Sequence, residues 1–360
     1  MMPVGRAGLF NCTLLLVAIL FVSAVPSAAH LGYGIVVGRG GDVFFLDSIR
    51  SRVWRLTPGG RLLVAASGYH ANTLVAAPDG SLYFESFNQS LWRLALNGKV
   101  ERVKLASARD GRAGALDEII AVDGAGNFYF SAGNDFVPSA PQILKRAPGG
   151  EVTVFAGSVA GRADGKGREA QFQEIRAAAW GRDGALYVTD RDRVRRVASD
   201  GAVTTLALRG LPAETGGWFG RLYGIAVDSA GNVYVADAEH RRVYRIAPSG
   251  EVIVVAESEP SWTPIGVAVA EHGVYILERT LRQVPATVQA RMNSPRIRRV
   301  FPDGRVETAA IVRGLFLDAV SAAIPWVPPM ILLGTAAFLA AGSGLLSWAM
   351  LRRRRRRLAR

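Results

Sequence analysis

The sequence predicts an all-β fold, a six-bladed β-propeller with four short strands in each blade. Three observations lead to this prediction: one apolar–turn–aromatic pattern recurs six times, its apolar residues alternate with a period of two, and helical periodicity is missing between residues 33 and 312. Repeats of roughly 40–50 residues that contain several strands are typical of propeller blades. A closed ring also protects strand edges, whereas an open array would leave edges bare at both ends.

The first element along the chain, residues 1–29, has the features of a secretory signal peptide. It carries one basic residue, Arg6, then an uncharged apolar run over residues 14–25, and small residues at positions 27–29. A short apolar run followed by small residues is typical of a leader that is removed on export. An uncleaved anchor is the alternative. Cys12 is the only cysteine, so the mature chain would contain no disulfide.

Residues 30–312 are predicted to form the propeller. In each copy the first strand is apolar, the second alternates around an aromatic residue, the third is amphipathic and basic, and the fourth follows a second glycine turn. The clearest copy runs from Gly224 to Glu257. Spacings between the glycines of the first turns are 39, 46, 58, 47 and 42 residues. These glycines are Gly41, Gly80, Gly126, Gly184, Gly231 and Gly273.

The repeats resemble the NHL-repeat branch of six-bladed β-propellers. The resemblance is carried by GIAVDSAGNVYVADAEHRRVYRIAPSG in the fifth copy and by AGSVAGRADGKGREAQFQEIRAAAWGRDGALYVTD at the junction of the third and fourth copies. The connector within residues 156–180 accounts for the spacing of 58 residues. The resemblance covers residues 33–312 and implies the fold. It does not choose a function, because propellers of this type include enzymes, sensors and binding scaffolds.

After a predicted juxtamembrane tether, residues 313–326, residues 327–351 are predicted to cross a membrane once. This stretch of 25 residues carries no charge and is long enough for a bilayer. The tail, residues 352–360, contains seven arginines, and basic residues next to a span favour the cytoplasmic side. We therefore expect a single-pass cell-membrane protein with its propeller outside and its C-terminus in the cytoplasm. Later removal of the span by a processing enzyme is the alternative.

The formal net charge of +13 is concentrated at the two ends of the chain. Without Arg6 and the seven tail arginines, the net charge of the remaining chain is about +5. On the third strands aromatic and basic residues alternate, as at Trp54 and Arg55, which places rings toward a core and arginines toward solvent. The positive charge is therefore a signal of topology, and we expect no nucleic-acid partner.

One set of positions is expected to converge on the central channel of the propeller. The residue just before the first strand of each copy, eight residues before the turn glycine, would face the channel at one end. The channel-facing candidates are Tyr33, Asn72, Glu118, Arg176, Tyr223 and Ile265.

The resemblance extends, at lower specificity, to gluconolactonase-like propellers, which place Glu, Asn and Asp ligands for one divalent cation at these positions. It implies Asn72 and Glu118 as weak candidates for oxygen ligands of Ca²⁺ or another divalent cation. Arg176 stands where the third oxygen would be wanted, and its guanidinium is expected to pair with Glu118. A polar plug that joins the blades is the alternative interpretation.

Two further groups of residues suggest catalysis but are better explained by the repeat. Asp47, Asp190 and Asp237 recur at one position after the second strand, as expected of residues that bond turn amides. The four histidines fall at unlike positions of their copies, which argues against a zinc site.

Together these observations favour a membrane-anchored extracytoplasmic module that binds a protein, peptide or glycan, and favour binding over catalysis. The alternative is a gluconolactonase-like hydrolase or lyase that acts at the channel with a divalent metal. Because little chain precedes Gly34, we expect the first and sixth blades to close the ring by packing end to end.

Overall fold

The computed structural model describes most of the predicted propeller. The predicted signal peptide, the tether of residues 313–326, the span of residues 327–351, the tail and Tyr33 lie outside the described residues, so these assignments stay predictions. In the part of the chain that is described, no helix is long and apolar enough to cross a membrane. The described residues are 34–86, 90–104, 118–133, 141–206, 221–280 and 294–312.

The first two blades are antiparallel sheets of four consecutive strands each. Their apolar residues alternate with polar ones because successive side chains of a strand point to opposite faces of the sheet. A short 3₁₀ helix, Arg39–Gly41, joins the first two strands. The strands are β1 Ile35–Val37, β2 Val43–Asp47, β3 Arg52–Leu56, β4 Leu62–Ser67, β5 Ala71–Ala76, β6 Leu82–Ser86, β7 Leu91–Leu94 and β8 Val100–Arg102.

The third blade has four strands, but the fourth has five, one more than the sequence predicted. The extra strand, β13, comes from the long connector and pairs with the outer strand β17. A second 3₁₀ helix, Gly167–Glu169, follows it. The strands are β9 Glu118–Val122, β10 Phe128–Ala132, β11 Gln142–Arg146, β12 Val152–Gly157, β13 Gly165–Lys166, β14 Ile175–Trp180, β15 Leu186–Asp190, β16 Arg193–Val197 and β17 Ala202–Thr205.

Arg195 of β16 explains why the connector folds back onto its own blade. Its side chain is fully buried, and its guanidinium donates to the carbonyl oxygens of Ala163 and Gln171 at 2.8 and 2.9 Å. It also pairs with the carboxylates of Asp164 and Asp190. One buried arginine thus holds the connector to the sheet, which brings β13 to the edge of β17.

The fifth and sixth blades again contain four strands each. The β22–β23 turn of the sixth blade is shorter than its counterparts, since Ala270 pairs directly with Gly273. The strands are β18 Leu222–Val227, β19 Val233–Asp237, β20 Arg242–Ile246, β21 Val252–Glu257, β22 Thr263–Ala270, β23 Gly273–Arg279, β24 Arg296–Val300 and β25 Val306–Ile311.

The innermost strands β1, β5, β9, β14, β18 and β22 form a closed ring in which each contacts the next and β22 returns to β1. Buried apolar clusters lie at the junctions between blades, and the cluster between the sixth and first blades includes Phe45, Ile265 and Leu277. Burial of this apolar surface is the main force that holds the ring. The first and sixth blades are each complete sheets of consecutive strands, so the ring closes by packing of these two blades against each other, as expected from the sequence.

Glycine is required where the innermost strands approach most closely. A Cβ on Gly224 of β18 would lie only 2.5 Å from the Cα of Gly266 on β22. Just before β1, a Cβ on Gly34 would lie even closer to the Cβ of Leu74 on β5. These distances are too short for any real side chain, so the narrow bore of the ring depends on both glycines.

Candidate functional site

The innermost strands of all six blades line a central channel of about 360 Å³. Most of the lining is apolar, from residues such as Val75, Ala121 and Val227. Among the described residues that line this cavity, Arg176 is the one that carries a charge. The channel is therefore an apolar bore with one guanidinium near its mouth.

The five described candidates all lie at or near the start of their innermost strands, which is one end of the propeller. We call this end the channel mouth. The strand pairing is irregular there, for example between Ala71 and Thr73, between Ile175 and Ala178, and between Pro264 and Gly266. Bulges of this kind re-aim side chains. The candidates are Asn72, Glu118, Arg176, Tyr223 and Ile265.

Arg176 and Tyr223 are the candidates that the structure brings into contact. The guanidinium carbon of Arg176 lies 4.5 Å from the centre of the Tyr223 ring, a cation–π arrangement. The guanidinium also forms an ion pair with Glu174, and the two side chains are only 13% and 5% exposed. Glu174 was not anticipated from the sequence, and the pairing of Arg176 with Glu118 stays a prediction.

The other candidates differ in the polar groups that they place at the channel mouth. The Oδ1 atom of Asn72 is a buried acceptor with no hydrogen-bond partner among the described residues. Glu118 is partly buried, and its carbonyl oxygen accepts a weak hydrogen bond from Ser131 Oγ at 3.5 Å. Ile265 is fully buried in the core between the sixth and first blades, so it contributes no polar group.

These residues do not fit a calcium site. Ca²⁺ takes six to eight oxygen ligands, several of them carboxylates. In the described part of the chain, no group of three or more His, Cys, Asp and Glu side chains is placed to hold a metal ion. Arg176 lines the channel, and its guanidinium would repel a cation bound beside it. The mouth therefore presents a fixed guanidinium where a metal-dependent propeller would need oxygen ligands.

Asp47 and Asp237 bond the turns that follow their strands, as predicted. Asp47 accepts from the backbone N–H of Arg50 at 3.2 Å and from Trp54 Nε1 at 3.4 Å. Asp237 accepts from the backbone N–H of His240 at 2.9 Å. Both carboxylates are fully buried, so these hydrogen bonds offset the cost of removing them from water. Their role is structural.

Asp190 has a similar role but bonds the preceding connector. It accepts from the backbone N–H groups of Gln173 and Glu174 at 2.7 and 2.9 Å, and from Arg195 at 2.8 Å. Burial raises the pKa of Asp190, while the two amides and Arg195 act in the opposite direction. The same amide bonds fix the backbone next to Arg176, so Asp190 positions the channel-mouth arginine.

Two other buried arginines were missed in the sequence. Arg221 donates from Nε to Asp237 at 2.7 Å. Arg279 is fully buried and donates from Nη2 to the carbonyl oxygen of Leu46 at 2.7 Å, across the junction of the sixth and first blades. Burial lowers the pKa of Arg279 to about 10, which the nearby Asp47 opposes. Neither arginine recurs in the repeat, so alignment of the copies gave no signal for them.

Comparison with known proteins supports the fold. The family model of the teneurin NHL domain matches residues 157–258, which include the long connector, the fourth blade and the fifth. A search of curated proteins finds no match.

Solved structures of the same fold include the calcium-binding protein regucalcin from Agrobacterium tumefaciens, at 16% identity and a TM-score of 0.52, with 80% of this chain and 92% of that chain covered. A putative gluconolactonase is similar at 18% identity and a TM-score of 0.50, with 79% and 91% covered. A protein of unknown function from Bacteroides thetaiotaomicron is similar at 16% identity and a TM-score of 0.51, with 68% and 66% covered. At these identities the likeness is one of fold alone.

The closed ring of six sheets and the match to the teneurin NHL domain together confirm the resemblance predicted from the repeats. The chain is a six-bladed β-propeller in which residues 157–258 match the family model of the teneurin NHL domain.

Proposed function

We propose that the chain is a membrane-anchored extracytoplasmic binding module, whose propeller engages a protein, peptide or glycan outside the cell membrane. Residues 327–351 would hold it in the membrane, and residues 352–360 would lie in the cytoplasm. The observation that favours binding over catalysis is made at the channel mouth, where Arg176 is held between Glu174 and Tyr223. This arrangement stabilises the ring and supplies no set of catalytic ligands.

The architecture also supports binding. Apolar clusters at the six junctions make the ring a rigid scaffold. The carboxylates of the repeated aspartates accept hydrogen bonds from backbone N–H groups of their own turns and connectors. A scaffold of this kind presents surface clefts and loops with little loss of conformational entropy when a partner binds.

A hydrolase or lyase of the gluconolactonase type, dependent on a divalent cation, is the alternative. One observation favours it: the amide oxygen of Asn72 is buried at the mouth without a hydrogen-bond partner among the described residues. The guanidinium of Arg176 argues against it. We therefore rank binding first.

The topology can be tested by cysteine labelling of intact cells, because Cys12 is the only native cysteine. In a Cys12→Ser background, Ala125→Cys places one thiol on the exposed β9–β10 turn, and Arg360→Cys places one in the tail. A membrane-impermeant maleimide is expected to label position 125 in intact cells and position 360 only after permeabilisation. The reverse pattern would contradict the proposed orientation.

The metal-dependent alternative can be tested by thermal unfolding of the full chain with calcium, magnesium, manganese or zinc. A cation that binds only the folded state stabilises it by about 2.7 kcal/mol when present at 100 times its Kd. We expect no rise in the melting temperature. A rise that is abolished by Glu118→Ala would instead support the enzyme.

A further inference from the structure

Two clefts open at the end of the propeller opposite the channel mouth. The cleft between the fifth and sixth blades has a volume of about 980 Å³, and the cleft between the fourth and fifth blades about 600 Å³. Arg182, Val227 and Ser229 line both clefts, so the two meet at the foot of the fifth blade. Together they form one continuous surface across the fourth, fifth and sixth blades.

Arg182 lies where the clefts meet, and its guanidinium is available to bind a partner. It precedes the turn glycine of the fourth blade by two residues, as Arg39 does in the first. Arg39 donates from Nη2 to the carbonyl oxygen of Pro78 at 2.8 Å and lies against Gly80, which closes the junction to the second blade. Arg182 is exposed, and no hydrogen bond or ion pair holds it among the described residues.

The two aspartates that share these clefts with Arg182 are bonded to other groups. Asp183 is bonded by Arg196 at 2.8 Å. Asp228 accepts from Asn232 Nδ2 at 2.8 Å and from the hydroxyl of Tyr234 at 3.3 Å. A guanidinium left in this state is well suited to bind a carboxylate through two parallel hydrogen bonds.

The outer strand of the fifth blade borders the larger cleft with an unpaired edge. Among the described strands β21 pairs only with β20, and its Val254 is 48% exposed. In the neighbouring fourth blade the chain itself covers the equivalent edge, because β13 pairs with β17 through Gly165 and Lys166. Unpaired edges accept added strands from other chains, and the fourth blade shows such an addition within this molecule.

Apolar side chains line both sides of the larger cleft, together with polar ones that include Asn232 and Arg245. Ile253 and Val255 of β21 line one side, and Val269 and Val274 of the sixth blade line the other. Alternate side chains of an added strand would reach these walls, since side chains of a strand point to its two faces in turn. Glu271 lies at the sixth-blade end of the cleft, so an acidic group would be placed at the other end, beside Arg182.

We propose that this surface docks an extended segment of a partner protein, which adds to the edge of β21, places apolar side chains in the cleft and binds Arg182 through an aspartate or glutamate. The inference rests on the proposed binding role and specifies the surface and the class of partner. The channel mouth takes no part in it.

The test uses a fluorescein-labelled peptide, Asp-Thr-Val-Thr-Val-Thr, titrated against the full chain by fluorescence anisotropy. Arg182→Ala is expected to weaken binding by about 10- to 100-fold, the range for a lost hydrogen bond to a charged group. A probe with asparagine in place of aspartate should bind as weakly, and Arg182→Ala should then cause no further loss. Additive losses would show that the two groups do not meet.

Two controls separate strand addition from other modes of binding. Val254→Lys blunts the proposed edge and is expected to abolish binding, whereas Val64→Lys, at the equivalent and 47% exposed position of β4, is expected to leave it unchanged. A probe N-methylated at alternate residues should not bind. Equal losses in both variants, binding of the methylated probe, or no binding to the unmodified chain would overturn the inference, while the labelling pattern would still decide the proposed topology.

Discussion

Within the fourth blade, Asp183 lies in the turn before β15 and Asp190 ends β15, and each pairs with an arginine of β16. Asp190 and Arg195 are fully buried and lie 2.8 Å apart at the channel-mouth end. Asp183 and Arg196 lie the same 2.8 Å apart at the opposite end, but their side chains are 39% and 36% exposed. We call this end the turn end, because it carries the turns between the first and second strands of the blades. The distances therefore do not show which ion pair contributes more to the stability of the fold. The difference in burial does.

The same contrast extends around the ring. At the channel-mouth end, Asp237 and Glu278 are fully buried against Arg221 and Arg296. At the turn end, Asp79 and its arginine are both substantially exposed. A buried ion pair is costly to break because the remaining charge stays in a medium of low dielectric constant. The mouth is thus a rigid structural end, and the turn end is free to carry surface clefts.

The largest expected effect comes from Asp190→Ala. It removes the buried one of the two carboxylates that Arg195 contacts and leaves the N–H groups of Gln173 and Glu174 without this acceptor. The change is expected to lower the free energy of unfolding by about 3–5 kcal/mol. The matched control, Asp183→Ala, removes the exposed partner in the same blade and should cost no more than about 1 kcal/mol. Urea unfolding followed by tryptophan fluorescence would compare the two. Equal losses would show that burial does not distinguish the ends.

A second test concerns the ring itself. Gly224→Ala places a methyl group 2.5 Å from the Cα of Gly266, and overpacking of this kind is expected to cost about 1–3 kcal/mol. Gly124→Ala lies in the β9–β10 turn, where no atom of the described residues is within 4 Å of the new methyl, and should change stability by less than about 0.5 kcal/mol. If both variants unfold at the same urea concentration, the innermost strands have more room than these distances imply.

The turn end predicts a specific response to alkaline pH. Burial and the nearby charge of Asp123 raise the pKa of Tyr129 above its usual value near 10. Its contribution to stability is therefore complete below about pH 10 and is lost as pH rises through the raised pKa. Tyr129→Phe should flatten this decline by up to about 1.4 kcal/mol per pH unit, measured by urea unfolding at several alkaline pH values. Parallel curves would contradict the shift.

How far the sequence predicts this fold follows from what repeats. Alternation and turn glycines located all six blades, because each copy obeys the same local rules. The sequence pattern does not predict the fifth strand of the fourth blade. β13 is held by Arg195 and by hydrogen bonds between Asp164 and Thr205, and both Arg195 and Thr205 are distant in sequence from the connector. Pairing between distant residues leaves no trace in a local pattern.

The candidate site was predicted less completely. Alignment placed Asn72, Glu118, Arg176 and Tyr223 at one end, but it could not supply the partner Glu174, which lies in the connector outside the repeat. A signal was present, because residues two apart in an extended chain share a face. The sequence does not mark Arg182 as a binding residue, because Arg39 occupies the same position of the repeat. The structure distinguishes the two arginines, since Arg39 donates to the carbonyl oxygen of Pro78 and Arg182 makes no equivalent hydrogen bond among the described residues.

The smallest expected effect tests the exposed end directly. The hydroxyl of Ser81 and, to a lesser degree, Arg93 hold the pKa of Asp79 below its usual value, against the effect of burial. Its stabilising contribution is therefore present above about pH 4 and lost as pH falls. Asp79→Ala should lower the free energy of unfolding by no more than about 1 kcal/mol at neutral pH, and the loss should shrink in about 1 M salt, where exposed charges are screened. The variant and the native chain would be unfolded with urea at low and high salt. A loss well above this bound that salt does not reduce would mean that the turn end also holds the ring together, and the contrast with the channel mouth would fail.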